Sequence, residues 1–138
     1  MDLYARKIIA YKISKRIDTQ LAIDTLNLAV ADRGKSSGII FHSDRGAQFT
    51  SKCFRKHLDA LNMIQSFSAK GHPYDNAVME CFFKYLKKEE TDRRNYSSLS
   101  ELQLSLFQYI NGFYNSSRPH SHNNGLSPNQ AKDLYFSF

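Results

Sequence analysis

Short β-branched or aromatic runs alternate with helical periodicities through the first half of this chain, and only helical patterns follow. Residues 4–13, carrying Ile8, Ile9 and Tyr11, read as a strand. Asp18 caps a helix in which Ala22, Ile23, Leu26, Ala29 and Val30 recur at helical spacing until Gly34 stops it. Residues 38–43 are too short and too continuously apolar for an amphipathic helix and form a second strand. Thr50 or Ser51 then caps a helix with Phe54, Leu58 and Leu61 on one face, and Met63 to Phe67 supply a third strand. Loop chemistry from Ser68 to Tyr74 leads to Asp75, an N-cap for a helix reaching about Glu89. Ser98-Leu99-Ser100-Glu101 matches a capping box for a long helix with a buried stripe of Leu102, Leu106, Ile110 and Phe113, ended by Pro119. Ser127-Pro128 starts a short closing helix. This order argues an α/β fold with helices packed on a small sheet.

With 138 residues the chain fits one domain, 1–138, and can bury a single core. Its net charge of +6 and pI near 9.4 suit a polyanionic partner without requiring one. Cys53 and Cys81 form no C-x-x-C and lack zinc-cluster neighbours, so both read as reduced core thiols of a cytosolic protein. The sequence shows no apolar signal core and no run long enough to span a membrane.

Asp44 ends the 38–43 strand, where ligands bind in open α/β sheets, and Glu80 lies about one turn inside a later helix. Two hard oxygen donors so placed can converge on a Mg²⁺ or Mn²⁺ that keeps waters and accepts substrate phosphate oxygens. A third carboxylate is normally needed. Spacing alone favours the blander reading, Asp44 as a strand-end turn residue and Glu80 as a solvated helix position, since acids are common in such places. Lys84 and Lys87 fall at i+4 and i+7 from Glu80, so the three side chains share one helical face. They form either a phosphate-binding face, with Arg45 and Lys70 as further candidates, or an ordinary Glu–Lys pair on an exposed helix. The loop His120-Ser121-His122 is a weak metal motif, and Arg118 can serve phosphate or a helix end. There is no G-x-x-x-x-G-K-[ST], no G-x-G-x-x-G and no nucleophile elbow, none of which phosphodiester transfer requires.

His42-Ser43-Asp44-Arg45-Gly46, Lys70-Gly71, Tyr74-Asp75-Asn76-Ala77-Val78-Met79-Glu80-Cys81-Phe82-Phe83, Tyr114-Asn115-Ser116-Ser117-Arg118-Pro119-His120 and Leu126-Ser127-Pro128 occur in order. Together they resemble the integrase-type catalytic core of bacterial insertion-sequence transposases over essentially the whole chain. The resemblance implies a ribonuclease-H-like fold, with a mixed sheet flanked by helices, and a DDE polynucleotidyl transferase. Asp44 would be its second acid and Glu80 its third, holding two Mg²⁺ or Mn²⁺ ions together with the first Asp. In the integrase relatives, lysines at the offsets of Lys84 and Lys87 contact the DNA end. The family's first acid lies before the segment that residues 1–9 resemble. The chain is therefore expected to lack the first strand, most of the second and the first catalytic Asp, and to be inactive alone. The implied partners are DNA, as transposon ends and target, and a further copy or the upstream part of the transposase, in the bacterial cytoplasm. A degenerate remnant that only binds nucleic acid or oligomerises is the alternative. The motif around Arg118 and His120 is expected to fix the last helix against the core.

Overall fold

The structure, a computed structural model, describes residues 1–69 and 73–137. They gather into two compact units: a sheet unit, Ile9–Ala77, and a helical unit, Met1–Ile8 with Val78–Phe138.

In the sheet unit, α1 (Thr19–Arg33) starts where the Asp18 carboxylate accepts the Leu21 N–H at 2.8 Å. It stops at Gly34, whose φ of 75° is the left-handed turn that glycine adopts without strain. Strand β1 (Ile40–Ser43), the single turn α2 (Ala47–Thr50), α3 (Lys52–Ala60) and β2 (Ile64–Phe67) follow. Ser51 is the cap of α3, its hydroxyl accepting from Phe54 N–H at 3.2 Å. β1 and β2 pair in parallel, with Phe41 opposite Gln65 and His42 opposite Ser66. Successive side chains of a strand point to opposite faces, so the two residues serve different ends. Phe41 packs on Phe49 and Phe54 with ring centroids 5.3–5.9 Å apart. These rings join Ile23, Leu26 and Leu58 in the core, which binds α1 and α3 to one side of the strands. His42 lies on the other side.

The helical unit contains α4 (Ala77–Glu89), α5 (Leu99–Phe107), a π-helical continuation from Gln108 to Tyr114, and α6 (Pro128–Phe136). Ser98 caps α5, accepting from Glu101 N–H at 3.1 Å, while the Glu101 carboxylate reaches back to Ser97 rather than to Ser98. α6 has both halves of its capping box, between Ser127 and Gln130, with Pro128 in its first turn. The π turn alters the expected buried stripe. One more residue per turn rotates Phe113 outward, to 43% exposure, and brings Tyr114 inward, to 2%, beside Leu106, Tyr109 and Ile110.

Three further expectations change. Residues 4–13 enter no strand ladder. Asn115, itself buried, accepts from Ile8 N–H at 3.0 Å and donates to Ile8 O at 2.9 Å, and Asn123 donates to Ala5 O at 2.9 Å. Amide side chains thus satisfy the backbone groups that a neighbouring strand would otherwise pair. Asp75 is not an N-cap. It lies in a 3₁₀ turn, Pro73–Asn76, where its carboxylate accepts from Ala69 N–H at 3.0 Å. Cys53 and Cys81 are free but exposed, not core thiols. Each directly precedes a buried phenylalanine, Phe54 or Phe82, and consecutive helix residues point about 100° apart. No helix of the described residues is long and apolar enough to cross a membrane.

Candidate functional site

Asp44 follows the last residue of β1 and is exposed. Its Oδ1 accepts from Gly46 N–H at 2.9 Å, a side-chain turn that holds the carboxylate over the strand end. A Cβ at residue 46 would lie 3.0 Å from Asp44 Oδ1 and 2.7 Å from Gln48 Nε2, side-chain ends that would have to shift to admit it. Among the described residues, Oδ2 has no hydrogen-bond partner. The turn is anchored to β2 on several lines. Ser68 N–H donates to Ser43 O at 3.0 Å, and His42 bonds the Ser66 and Ser68 hydroxyls at 3.0 and 3.2 Å. Arg45 donates from Nε to Ser68 O at 3.3 Å and lies 5.4 Å from the centre of the Phe67 ring. These bonds fix the strand end that carries Asp44.

Glu80 stands in the first turn of α4, where the helix dipole favours a carboxylate. Phe82 faces inward on to Tyr114, with ring centroids 5.0 Å apart, and this contact sets the rotation of the helix. As a result Glu80, Lys84 and Lys87 point to solvent and line an open groove of about 740 Å³ with Phe83, Lys88 and Asp92. The ion pairs among the described residues are Lys12–Asp24, Arg94–Glu90 and Arg118–Glu89. The ordinary Glu80–Lys84 helix pair is not formed, so both charges are available to something outside the protein.

The far end of α4 is locked down. Arg118 donates to both Glu89 oxygens, from Nη2 at 2.7 Å and from Nε at 3.0 Å, and its guanidinium lies 3.9 Å from the centre of the Tyr85 ring. Tyr109 Oη donates to Glu89 at 2.7 Å. The Arg118 hydrogen bonds hold the Glu89 carboxyl below its ordinary range, while burial, and then the bond to Glu89, push the Tyr109 phenol up. His120 sits edge-on to Tyr114 at 4.9 Å, and burial, then the Arg118 charge, lower its pKa. Both ring nitrogens of His122 are taken, one by Arg6 at 3.2 Å and one by Tyr4 O at 3.1 Å. Arg118 and His120 are thus packed against Glu89, Tyr85 and Tyr114, and His122 has both ring nitrogens engaged within the chain. Among the described residues, no three of His, Cys, Asp and Glu are grouped to hold an ion.

The structure thus brings Glu80, Lys84 and Lys87 together on one face of the helical unit, and Asp44 and Arg45 together at one strand end of the sheet unit. Lys70 lies outside the described residues. As metal ligands the two carboxylates are chemically suitable: hard oxygens, exposed, with at least one oxygen of each unengaged among the described residues. Sequence reading did not single out Phe83, Lys88 or Asp92, although Phe83 and Lys88 stand at i+3 and i+8 from Glu80. The Glu89–Arg118–Tyr109 network left no periodic signal.

Comparison with known proteins gives a consistent picture. An integrase core domain model matches residues 1–73, and a second integrase core domain model matches residues 80–134. Transposase InsF for insertion sequence IS3A of Escherichia coli (strain K12) is 39% identical over 133 residues, 96% of this chain and 46% of that protein. A Lactococcus lactis subsp. lactis protein named ATP-dependent protease is 56% identical over 94 residues, 68% of this chain and 30% of that protein. The chain spans less than half the length of each of these two relatives. Among solved structures, a chain of the simian T-cell lymphotropic virus intasome, determined by cryo-electron microscopy in complex with PP2A regulatory subunit B56 gamma, superposes with a TM-score of 0.65. It is 21% identical and covers 86% of this chain and 41% of its own length, a likeness of fold that bears out the ribonuclease-H-like α/β expectation.

Proposed function

The chain belongs to the integrase core domain family, and from that membership we propose that residues 1–138 act as a catalytic core in DNA transposition and integration. The observation that carries this reading is the α4 face. An acid and two lysines that could have neutralised one another instead stand apart in one open groove. Such a face suits a phosphodiester substrate, whose charge the lysines bind while the carboxylate serves the reacting phosphate.

Asp44 and Glu80 are the residues of this chain that would hold a divalent cation, Mg²⁺ or Mn²⁺. When bound, the cation supplies Lewis-acid activation of a water or 3′-hydroxyl and stabilisation of the leaving oxygen. Asp44 contributes the oxygen not used in the turn with Gly46, and Glu80 contributes a carboxylate held by the first turn of a well-packed helix. Lys84 and Lys87 bind the DNA end through phosphates; Arg45 and Lys70 are further phosphate contacts. Strand transfer needs no nucleotide hydrolysis, because the energy of the broken phosphodiester is carried into the new one, and cleavage by water is itself downhill. The partners proposed for the chain are DNA, as transposon ends and target, and a further copy of itself. The setting that supplies both ends and target is the bacterial cytoplasm. A non-catalytic remnant that only binds nucleic acid or oligomerises is the competing reading.

DNA binding by the 138-residue chain should be sequence-independent and steeply salt-dependent, since lysines that neutralise phosphates release counterions. The double variant Lys84→Ala/Lys87→Ala should reduce the slope of log K against log [salt] by roughly 2, about 1 for each phosphate that is no longer neutralised. Fluorescence anisotropy across a salt series reads this directly. An unchanged slope in the double variant would mean that the lysine face is only a solvated helix surface.

A further inference from the structure

Phe83 is the groove residue that phosphate binding leaves unexplained. The residue is 50% exposed, meets Phe82 in a T-shaped ring contact with centroids 5.3 Å apart, and lines the same concavity as Lys84, Lys87 and Lys88. A single exposed apolar residue on a convex surface needs no explanation. An aromatic face set among three lysines in a groove is different, because it combines the two elements that single-stranded nucleic acid sites use. The cations track the backbone, and the ring offers a flat, stiff platform to a base. Phe83 lies one turn on from Glu80 and one turn before Lys87, so a nucleotide stacked on it has the lysines of the C-terminal half of the groove, Lys84, Lys87 and Lys88, to one side to take its phosphates. Within a duplex the base faces are covered by their neighbours. Only an unpaired base can use the ring.

We propose that Phe83 is a base-stacking residue, and that it makes the Lys84–Lys87–Lys88 groove a site for an unpaired DNA strand end. The inference rests on the DNA-binding reading above and adds to it a substrate form: a frayed or tailed terminus rather than a closed duplex. A stacked terminal base would hold the strand end beside Glu80, which sits one turn away on the same face.

The test compares two probes with the 138-residue chain, a blunt duplex and the same duplex with a short unpaired 3′ tail carrying 2-aminopurine. The tailed probe should bind about tenfold more tightly, with its fluorescence quenched by stacking, the low end of what one base–aromatic stack contributes. Phe83→Leu and Phe83→Ala should each remove that preference while leaving the salt slope unchanged, and Phe83→Tyr should keep it. Leucine preserves apolar packing without a π face, so retention of the preference in Phe83→Leu would overturn the inference, as would equal binding of the two probes by the unaltered chain. A salt-independent or absent interaction with both probes would instead overturn the DNA reading itself. If Phe83→Leu turns an associated chain into a monomer without changing strand preference, the ring serves the packing of one copy on another and the inference fails.

Discussion

Replacing Arg118 by alanine is expected to lower the thermal midpoint of the 138-residue chain by roughly 6–12 °C at neutral pH, from a loss of about 2–3 kcal/mol. The guanidinium makes a forked ion pair with Glu89 and covers the face of Tyr85, and both partners of the pair are largely buried. Its removal leaves the Glu89 carboxylate with only the Tyr109 hydroxyl, in a place where water reaches it poorly. The estimate stays below that for a fully buried pair because about a quarter of the Glu89 side chain is exposed. Arg118→Lys should fall between the two, since lysine keeps the charge but loses the fork. The same ion pair predicts a pH dependence. Glu89 has its pKa lowered by folding, so it contributes stability that is fully present above the ordinary carboxylate value of 4.5. That stability is lost as pH falls through the lowered folded value. The gap between Arg118→Ala and the unaltered chain should therefore shrink in acid and be largest from about pH 5 to 8. A gap that persists undiminished at pH 3, or a midpoint unchanged at pH 7, would show that the fork does not hold α4.

That network bears on function because it anchors the C-terminal end of α4, the helix that carries Glu80, Lys84 and Lys87. It also shows where sequence reading reaches its limit. α1 was legible to the residue at both ends, since Asp18 and Gly34 act locally and each has one chemical task. β1, β2 and the Ser51 cap were legible for the same reason. The segment 4–13 was not. Its β-branched and aromatic residues fit a strand, but whether a strand forms depends on a partner distant in sequence, and here Asn115 and Asn123 take that place across more than a hundred residues. The π turn likewise defeated the periodic stripe, because a pattern counted at 3.6 residues per turn cannot anticipate one inserted residue. For the candidate site the position was reversed. Asp44, Glu80, Lys84 and Lys87 came from motif order and helical offsets, whereas the missing Glu80–Lys84 pair and the exposed ring of Phe83 became visible only in three dimensions. The cysteines were misplaced because a thiol next to a phenylalanine yields the interior to the larger apolar group.

Asp44→Asn and Glu80→Gln are each expected to weaken Mn²⁺ binding to the 138-residue chain at least tenfold, and the double variant should be little worse than either single one. The reasoning concerns sharing. Two carboxylates that hold the same ion are worth less after the first is removed, so their effects overlap; two that bind separate ions lose affinity independently, and their effects multiply. A coupling of about 1 kcal/mol or more in the double-mutant cycle would place both acids on one ion, as the integrase-core reading requires. Each substitution is nearly isosteric and keeps hydrogen-bonding capacity while removing the charge, and both side chains are exposed, so folding is not at stake. Gly46→Ala supplies an independent check that leaves both carboxylates in place. Its new Cβ would crowd Asp44 Oδ1 and the Gln48 amide and disturb the turn that presents the carboxylate, so Mn²⁺ affinity should fall by less than in Asp44→Asn but measurably. Electron paramagnetic resonance of free Mn²⁺ during titration gives all five affinities, that of the unaltered chain included. Effects that multiply in the double variant, or a Glu80→Gln chain that binds Mn²⁺ as well as the unaltered one, would remove the shared-ion reading and leave the lysine face as a DNA-binding surface without a catalytic acid.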